Sequence, residues 1–352
     1  MNNDETRKGQ PSQDVQEKWQ TAIRANSGYD LADAGKTLGG ESPVQSFHRQ
    51  QLMGELPRID PDSDHSQFEV GGTIGQGGMG VVRLARQTSL FRDVALKTIL
   101  PEQMGAWATE ELLQESWITG MLEHPNIVPV HALGVDEHES PMMVMKRVEG
   151  VSWHEALQED DKLPDSFRAG RDRLEDHLDI LVQVCNAIEF AHSRGIIHCD
   201  LKPENVMLGA YGEVYVVDWG IAVALEDDGT GRLPLAEAVE EVAGTPAYIA
   251  PELAAGDGEK IDERTDVYLL GAILHELVTG RARHEANALR AMLLAAYQSE
   301  PVDYGEGVDE ELARICNRAT RRQRDERFES VEAFRQALVD YERHRDSLRL
   351  SN

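Results

Sequence analysis

The sequence of 352 residues is short of cysteine, of basic charge and of long apolar runs, and each shortage excludes a class of protein. The three cysteines, Cys185, Cys199 and Cys316, are an odd number without CxxC spacing, so they predict neither a disulfide framework nor a zinc site. No apolar run reaches the roughly 18 residues of a membrane span, and the N-terminus has no apolar signal core. We therefore expect a protein of a reducing compartment, the cytoplasm, without a membrane segment.

Basic residues are outnumbered: 63 Asp and Glu face 35 Lys and Arg, which gives a formal net charge of −28. Such a surface repels the phosphates of nucleic acids and of anionic lipids, so nonspecific binding to either is excluded. Basic proteins remain possible partners.

Strong core residues are also scarce in residues 1–66, which are rich in Gln, Asn, Ser, Asp and Gly. We interpret this segment as a polar N-terminal extension, largely disordered, with short helices in it. Apolar residues recur at helical spacing in two stretches of it: Val15, Trp19, Ala22 and Ile23, then Val44, Phe47, Leu52 and Leu56. Because short isolated helices are marginal in water, the pattern favours helices that fluctuate in this segment. The alternative hypothesis is that they dock on the rest of the chain or on a partner.

The pattern changes at residue 67. Alternating runs separated by turns predict an antiparallel meander over Phe68–Ile99, then a helix around Glu110–Leu122 and two further strands. From residue 152 the apolar spacing is mostly helical. Strands followed by helices indicate an α+β fold in two lobes, a five-stranded antiparallel lobe with one helix at 67–145 and a larger, mainly helical lobe at 149–342, followed by a short tail at 343–352.

Three glycines, Gly75, Gly77 and Gly80, form a GxGxxG pattern that is weak evidence alone. A dinucleotide-binding fold needs a helix at this point, but a strand pattern follows, so the glycines fall on a hairpin. Backbone amides there could close over phosphate oxygens, although a plain glycine-rich hairpin explains the pattern equally well. Lys97 on a later strand and Glu115 on the predicted helix are suitably placed to form an ion pair beside such phosphates.

The stretches HCDLKPENVML at 198–208 and VVDWG at 216–220 carry more specific chemistry. With these motifs the sequence resembles the eukaryotic-like, Hanks-type serine/threonine protein kinases, most closely the bacterial ones, over about residues 68–342. The resemblance implies the two-lobed protein kinase fold. It also implies transfer of the γ-phosphoryl group of ATP, with Mg²⁺, to Ser or Thr hydroxyls of protein substrates.

The resemblance assigns roles to the matching positions. Asp200 would be the catalytic base, Lys202 would neutralise charge on the transferred phosphoryl group, and Asn205 and Asp218 would bind magnesium. Nucleotide-binding positions would be Gly75, Gly77, Gly80, Val82, Ala95, Lys97, Glu115, Met145 and Met207. In this scheme Met145 is the gatekeeper beside the adenine, and residues 146–148 form the hinge.

The stretch GTPAYIAPE at 244–252 resembles the segment with which these kinases bind a protein substrate. Thr245 is typical of Ser/Thr kinases, and small-molecule kinases generally lack this segment. The resemblance also implies a buried ion pair of Glu252 with Arg327, and a cap on the catalytic loop from Asp266. An apolar column through the two lobes would consist of Thr119, Val130, His198 and Trp219.

Three positions depart from the family pattern. Cys199 replaces the arginine that precedes the catalytic Asp in most kinases, Trp219 replaces the usual Phe, and Thr119 is a polar choice for its column. The missing arginine commonly pairs with a phosphate in the activation loop. We therefore predict that activity does not depend on such a phosphate.

Two alternatives stay open. The chain could be a pseudokinase or kinase-like scaffold that acts by partner binding, or a small-molecule phosphotransferase. The filled set of Lys97, Asp200, Asn205 and Asp218 is evidence against the first, and Thr245 with the APE triplet is evidence against the second. For a protein kinase, Glu149 and Glu204 suggest a preference for basic residues before the acceptor.

Overall fold

The two-lobed arrangement is seen in a computed structural model, which describes residues 9–26, 35–38, 53–54, 56–59, 67–77, 80–103, 105–168 and 172–350. Val44, Phe47 and Leu52 of the second apolar stretch lie outside the described residues.

The small lobe is a five-stranded antiparallel sheet with the order β1-β2-β3-β5-β4. Its strands are β1 (Phe68–Gln76), β2 (Gly80–Gln87), β3 (Arg92–Ile99), β4 (Val130–Val135) and β5 (Pro141–Lys146). The register places Val82 opposite Lys97, and Ala95 opposite Met145. Because side chains alternate between the faces of a strand, this register decides which of them face the large lobe.

The large lobe is mainly helical and holds the main apolar core. The described residues include the α-helices α1 (Gln13–Ala25), α2 (Ala106–Met121), α3 (Trp153–Gln158), α4 (Arg173–His192), α5 (Pro251–Ala255), α6 (Glu263–Thr279), α7 (Leu289–Gln298), α8 (Glu310–Ala319) and α9 (Val331–Leu350). Short strands cover the cleft side: β6 (Gly150–Ser152), β7 (Ile196–Ile197), β8 (Val206–Gly209), β9 (Val214–Val216) and β10 (Val223–Ala224). None of the described helices has both the length and the apolar character required to cross a membrane.

Side chains fix the start of the two long buried helices. The Asp172 carboxylate accepts hydrogen bonds from the amides of Leu174 and Glu175 at the start of α4, and Asp262 forms a capping box with Thr265 at the start of α6. Helix α6 ends at Gly280, whose φ of +71° is a left-handed conformation that glycine adopts without strain. These ends determine which turn of α6 faces the loop at 198–205 between β7 and β8.

Helix α1 lies in the polar extension and packs on the large lobe. Ser12 accepts a hydrogen bond from the Val15 amide at its start, and Val15 and Trp19 are buried. The Trp19 indole Nε1 donates to the Ala254 carbonyl oxygen at 2.7 Å, and its ring meets Tyr297 edge-on. The sequence favours a fluctuating helix because an isolated helix of this length is marginal. The tertiary contact supplies the stabilisation that the sequence pattern does not show.

Two other described parts of the extension pair with the lobes. Leu38 and Gly244 exchange backbone hydrogen bonds of 2.8 Å in both directions. Ile59 donates to the Val135 carbonyl at 2.8 Å, and Val135 donates to the Pro57 carbonyl at 3.0 Å, which extends the sheet at its β4 edge. The extension therefore contacts the helical lobe, the cleft and the small-lobe sheet.

Candidate active site

The loop between β7 and β8 is held from below by one buried carboxylate on α6. Asp266 accepts hydrogen bonds from the amides of His198 at 2.9 Å and Cys199 at 3.0 Å, and contacts His192 Nε2 at 2.8 Å. Cys199 has a φ of +65°, a left-handed conformation that costs energy for a residue other than glycine. The contacts of Asp266 keep the loop in this turn, as the sequence led us to expect for this residue.

The turn directs Asp200 into a network of polar side chains. The Asp200 carboxylate accepts from Thr245 Oγ1 at 2.7 Å and from Asn205 Nδ2 at 3.2 Å, and lies 2.9 Å from Lys202 Nζ. Lys202 also donates to Thr245 Oγ1 at 2.7 Å. All four side chains are buried, so each is held in one arrangement with little competition from water.

A second group of charges connects the lobes. Lys97 Nζ on β3 lies 2.6 Å from Glu115 Oε2 on α2 and 3.8 Å from Asp218 Oδ1. Burial of the Lys97 ammonium acts to lower its pKa, but the carboxylates of Glu115 and Asp218 outweigh burial and raise the pKa above its usual value. Lys97 is therefore charged at any physiological pH.

Asp218, near Lys97, and Asn205, near Asp200, are the residues to which the resemblance assigns magnesium. Asp218 has a φ of +62°, and about half of its side chain is exposed. Confinement in the cleft acts to raise its pKa, but Lys97 and Lys202 outweigh that effect, so the pKa lies below its usual value. Asn205 donates its amide hydrogens to the backbone carbonyl of Asp200 at 2.9 Å, which fixes the side chain. A carboxylate and an amide oxygen form a donor set that suits Mg²⁺, an ion that keeps several waters.

The glycines lie where β1 turns into β2. Gly75 pairs with Val82, and the Gly77 amide donates to the Gly80 carbonyl at 2.9 Å. A Cβ on Gly80 would lie 3.2 Å from the Thr98 carbonyl oxygen and 3.4 Å from Lys97 Cε, tighter than most such contacts. The structure thus has the hairpin that the strand pattern predicts, with Gly80 packed directly over the Lys97 stem.

The four apolar positions assigned to adenine lie on both lobes. Val82, Ala95 and Met145 are on adjacent strands of the small-lobe sheet, while Met207 is on β8 of the large lobe, opposite Ser152. Residues 146–148 connect β5 to β6 and thus join the lobes. An aromatic ring between these elements would have apolar walls above and below.

The column assigned to Thr119, Val130, His198 and Trp219 is partly polar. The rings of His198 and Trp219 lie 4.5 Å apart, and Val130 packs against the small apolar cluster under α2. Thr119 is buried, and its hydroxyl donates to the Glu115 carbonyl at 2.6 Å. That internal hydrogen bond satisfies the hydroxyl, which explains how a polar residue is tolerated there.

Glu252 and Arg327 form a bidentate ion pair below the segment 244–252. The two nitrogen–oxygen distances are 2.7 and 2.8 Å, and Thr265 Oγ1 donates to the same carboxylate at 2.9 Å. Both charged side chains are almost completely buried. Glu149 lies apart from this site, exposed and 3.2 Å from Arg147, whereas Glu204 is 3.2 Å from His154 beside the catalytic loop.

One contact at Asp200 was missed by the sequence reasoning. Thr37 Oγ1 of the extension donates to Asp200 Oδ2 at 2.7 Å, and Leu38 beside it is fully buried. The only sequence feature that marks this position is the stretch GKTLG at 35–39, in which a threonine and a leucine stand between glycines in a polar extension. It pointed to no partner because the contacts lie more than 160 residues away in the chain.

Comparison with known proteins agrees with the resemblance that the sequence motifs show. A family model described as a protein kinase domain matches residues 68–339. The chain is 32% identical to the serine/threonine-protein kinase PknD of Chlamydia trachomatis, over 78% of this chain and 31% of that protein. It is 31% identical to PknB of Mycobacterium leprae (78% and 42%) and 35% identical to a probable serine/threonine-protein kinase of Corynebacterium efficiens (69% and 35%). The chain therefore covers only 31% to 42% of the length of each of these relatives.

Proposed function

The chain belongs to the protein kinase family, and from that premise we propose that it transfers the γ-phosphoryl group of ATP to serine or threonine hydroxyls of proteins. The family match confirms the predicted family and fold, and the relatives are named serine/threonine kinases. The observation that carries the proposal is the assembled polar site. Lys97 and Glu115 form an ion pair with a nitrogen–oxygen distance of 2.6 Å, and Asp218 lies beside it. In the same cleft, Asp200 is held by its contacts with Asn205, Lys202 and Thr245.

Use of ATP and of a divalent metal is implied by the family. We propose that Asp218 and Asn205 hold Mg²⁺, with Lys97 and the amides of the glycine hairpin on the phosphates and Val82, Ala95, Met145 and Met207 around the adenine. The bound metal would neutralise the phosphate charge that otherwise repels an approaching hydroxyl. The oxygen chemistry of the donor pair and the lowered pKa of Asp218 support this arrangement.

The protein residues then act on the acceptor. Asp200 orients the substrate hydroxyl and takes its proton, while Asn205 and Thr245 keep its carboxylate in one orientation. Lys202, 2.9 Å from Asp200, stabilises negative charge that develops on the transferred group. Because these groups are buried and already hydrogen-bonded, little reorganisation is needed when the reaction occurs.

The substrate class follows from the space around Asp200. The backbone of Gly244 accepts a paired extended segment, Leu38, with mutual hydrogen bonds of 2.8 Å. An edge that pairs with extended backbone suits a polypeptide rather than a sugar or an antibiotic. Glu204 supports a preference for basic residues before the acceptor, since its Oε2 is buried without a hydrogen-bond partner among the described residues.

Residues 1–66 are proposed as an N-terminal extension that docks on the kinase domain at 67–342, supported by the burial of Trp19 and Leu38. A cytoplasmic location is supported by Cys185, Cys199 and Cys316, which are all free thiols.

The decisive experiment is a transfer assay with purified protein, Mg²⁺, ATP and a peptide library with Ser, Thr or Tyr acceptors. We expect phosphate on Ser and Thr peptides and none from a Lys97→Met variant. Nucleotide binding by calorimetry with no transfer to any peptide would instead favour the scaffold alternative. Phosphate on an aminoglycoside or a sugar, but on no peptide, would favour the small-molecule alternative.

A further inference from the structure

The segment Gly35–Leu38 occupies the place of an acceptor peptide in the chain's own site. We propose that Thr37 is an autophosphorylation site, modified within the same molecule, and that the unmodified segment blocks the site against other substrates. This inference rests on the proposed kinase function and adds the identity of one acceptor and a means of regulation.

The Thr37 hydroxyl has the contacts that an acceptor requires. Its Oγ1 donates to Asp200 Oδ2 at 2.7 Å and accepts from Lys202 Nζ at 2.7 Å. Thr245 Oγ1 is 3.2 Å away. The hydroxyl proton therefore already points at the carboxylate that would receive it, within the distance that proton transfer needs.

The residues on either side of Thr37 are held as a peptide. Leu38 exchanges two backbone hydrogen bonds with Gly244, and Lys202 Nζ donates to the Gly35 carbonyl at 2.7 Å. Leu38 is fully buried in the apolar cluster that also contains Cys199, Val242 and Ile249. A backbone pairing with one side chain in an apolar pocket is the usual way in which an extended peptide is recognised.

Gly35 fits closely against an acidic side chain. A Cβ at Gly35 would lie 2.5 Å from Glu204 Oε1, so a larger residue two positions before the acceptor would have to displace the Glu204 carboxylate. The close fit indicates that this short segment matches the surface around Asp200 on both sides of Thr37.

The extension is attached close to the site, which favours modification within one molecule. Trp19 anchors α1 on the large lobe, and Lys18 Nζ donates to the Gly256 carbonyl at 3.0 Å. Gly35 is only ten positions after Ala25 in the sequence, so the reach from α1 is about 35 Å at most. A tether of this length gives an effective concentration on the order of millimolar, which external substrates rarely match.

The chemical step is an in-line transfer. Thr37 Oγ1 forms a bond to the γ-phosphorus of ATP, and the bond from that phosphorus to the β–γ bridging oxygen breaks. ADP leaves with the electron pair, and the hydroxyl proton passes to Asp200 Oδ2. The product is phosphothreonine at position 37 and ADP.

Phosphothreonine at position 37 contacts the site less favourably than the unmodified Thr37 does. Phosphothreonine carries a charge of about −1.5 to −2 at neutral pH and has no hydroxyl to donate to Asp200. The Asp200 carboxylate would face it, and the Glu204 carboxylate lies beside Gly35 in the same segment, with Lys202 as the nearby cation. The modified segment therefore leaves the site, and protein substrates gain access.

The main test follows phosphate on full-length protein that was first treated with a phosphatase. After addition of Mg²⁺ and ATP, peptide mapping by mass spectrometry should find about one phosphate at residue 37, at a first-order rate that is unchanged over roughly hundredfold dilution. Thr37→Ser should accept phosphate at the same position and Thr37→Val should not. The matched control Thr21→Val, at an exposed position of α1, should leave phosphate at Thr37 unaffected.

Phosphate transfer to a peptide, measured in the same samples, distinguishes autophosphorylation at Thr37 from the proposed kinase function. Protein that phosphorylates a peptide but carries no phosphate at Thr37 would overturn the autophosphorylation and leave the kinase function standing, whereas failure of both would overturn the kinase function. A rate at Thr37 that rises in proportion to protein concentration would overturn modification within one molecule.

Hydrogen exchange and the KM for peptide test whether the unmodified segment blocks the site. In nucleotide-free protein, hydrogen exchange at the amides of Leu38 and Gly244 should be slow, and Leu38→Asp should speed exchange at Gly244 because it removes the buried contact. The same variant should lower the KM for peptide by about fivefold or more relative to unmodified wild type. Equal exchange and equal KM in the two proteins would contradict a blocked site.

Discussion

Lys97 and Glu115 form the closest charged contact between the small-lobe sheet and helix α2, with 2.6 Å between Nζ and Oε2. The Glu115 side chain is nearly inaccessible and that of Lys97 is about one-fifth exposed. Since Asp218 lies 3.8 Å from the same ammonium, the pair also fixes where that carboxylate sits. The structure therefore brings together the three charged side chains for which a role at the nucleotide phosphates is proposed.

Replacing Glu115 by Gln should lower kcat/KM for ATP by about tenfold or more and change its pH dependence. Burial lowers the pKa of Lys97, whereas Glu115 and Asp218 raise it, so loss of the Glu115 charge leaves a pKa lower than in wild type and activity should fall at a lower pH as the pH rises. A pH–rate profile from pH 6 to 10 checks this. Glu123→Gln, at an exposed position beyond the end of α2, is the matched control. Superimposable profiles for wild type and Glu115→Gln would contradict the role assigned to the pair.

Asp200→Asn and Asp218→Ala should each reduce phosphoryl transfer by about a hundredfold or more, for different reasons. Asp200 acts on the hydroxyl, so its variant should bind nucleotide and metal normally, whereas loss of Asp218 should weaken metal-dependent nucleotide binding. Transfer rates and calorimetric titrations, with Asp228→Asn in the exposed loop as control, measure both effects. Near-wild-type turnover in either variant would refute the assignment.

Thr230→Ala should retain most of its activity. Thr230 is exposed and donates to Asp228 at 2.7 Å, and Cys199 is buried where other kinases have a phosphate-binding arginine. Burial raises the pKa of the Cys199 thiol well above its usual value. The side chain is therefore neutral and cannot bind a phosphate as the positively charged arginine would. Wild type and Thr230→Ala, each first incubated with Mg²⁺ and ATP so that Thr37 is in the same state in both, should have initial rates that agree within about twofold. A loss of about tenfold in Thr230→Ala, roughly 1.4 kcal/mol in the barrier, would show that a loop phosphate is needed.

Arg327→Ala should destabilise the fold by about 3–5 kcal/mol, because it leaves the Glu252 carboxylate buried without its partner. The partly exposed pair of Arg335 and Glu189, at 3.3 Å, provides the comparison, and Arg335→Ala should cost about 1 kcal/mol or less. Urea unfolding of the two variants measures the difference. Equal losses of stability would mean that burial does not decide the contribution of the Glu252–Arg327 pair.

His177→Gln should flatten the loss of stability in acid. Trp153 Nε1 donates to His177 Nδ1 at 3.0 Å, and burial lowers the pKa of His177 to about 4. The unfolded chain takes up this proton below a pH of about 6.5, so the folded state loses stability as the pH falls from there toward about 4. Near pH 5 the loss from this residue is on the order of 1–2 kcal/mol.

Glutamine keeps an acceptor for Trp153 without titrating, so the stability of the variant should depend less on pH than that of the wild type. Thermal unfolding from pH 5 to 8 checks the slope, with the exposed His344→Gln as control. A variant that follows the wild-type slope would assign the acid sensitivity to other groups.

The sequence alone predicted the family, the two-lobed fold and the order of the elements. These depend on local patterns: alternation over Phe68–Ile99, helical spacing after residue 152, and motifs whose members lie within about a dozen residues of one another. Residues close in sequence stay close in the fold, so the turn that contains Asp200, Lys202 and Asn205 could be read directly from the chain.

Tertiary structure decided which distant residues meet. The contacts of Trp19 with Ala254 and of Thr37 with Asp200 join residues 235 and 163 positions apart. Helical spacing shows that Trp19 lies on an apolar face, but it does not show which surface covers that face. A threonine in a polar stretch likewise carries no local sign of its partner, because burial and hydrogen-bond geometry arise only when the lobes and the extension are packed together.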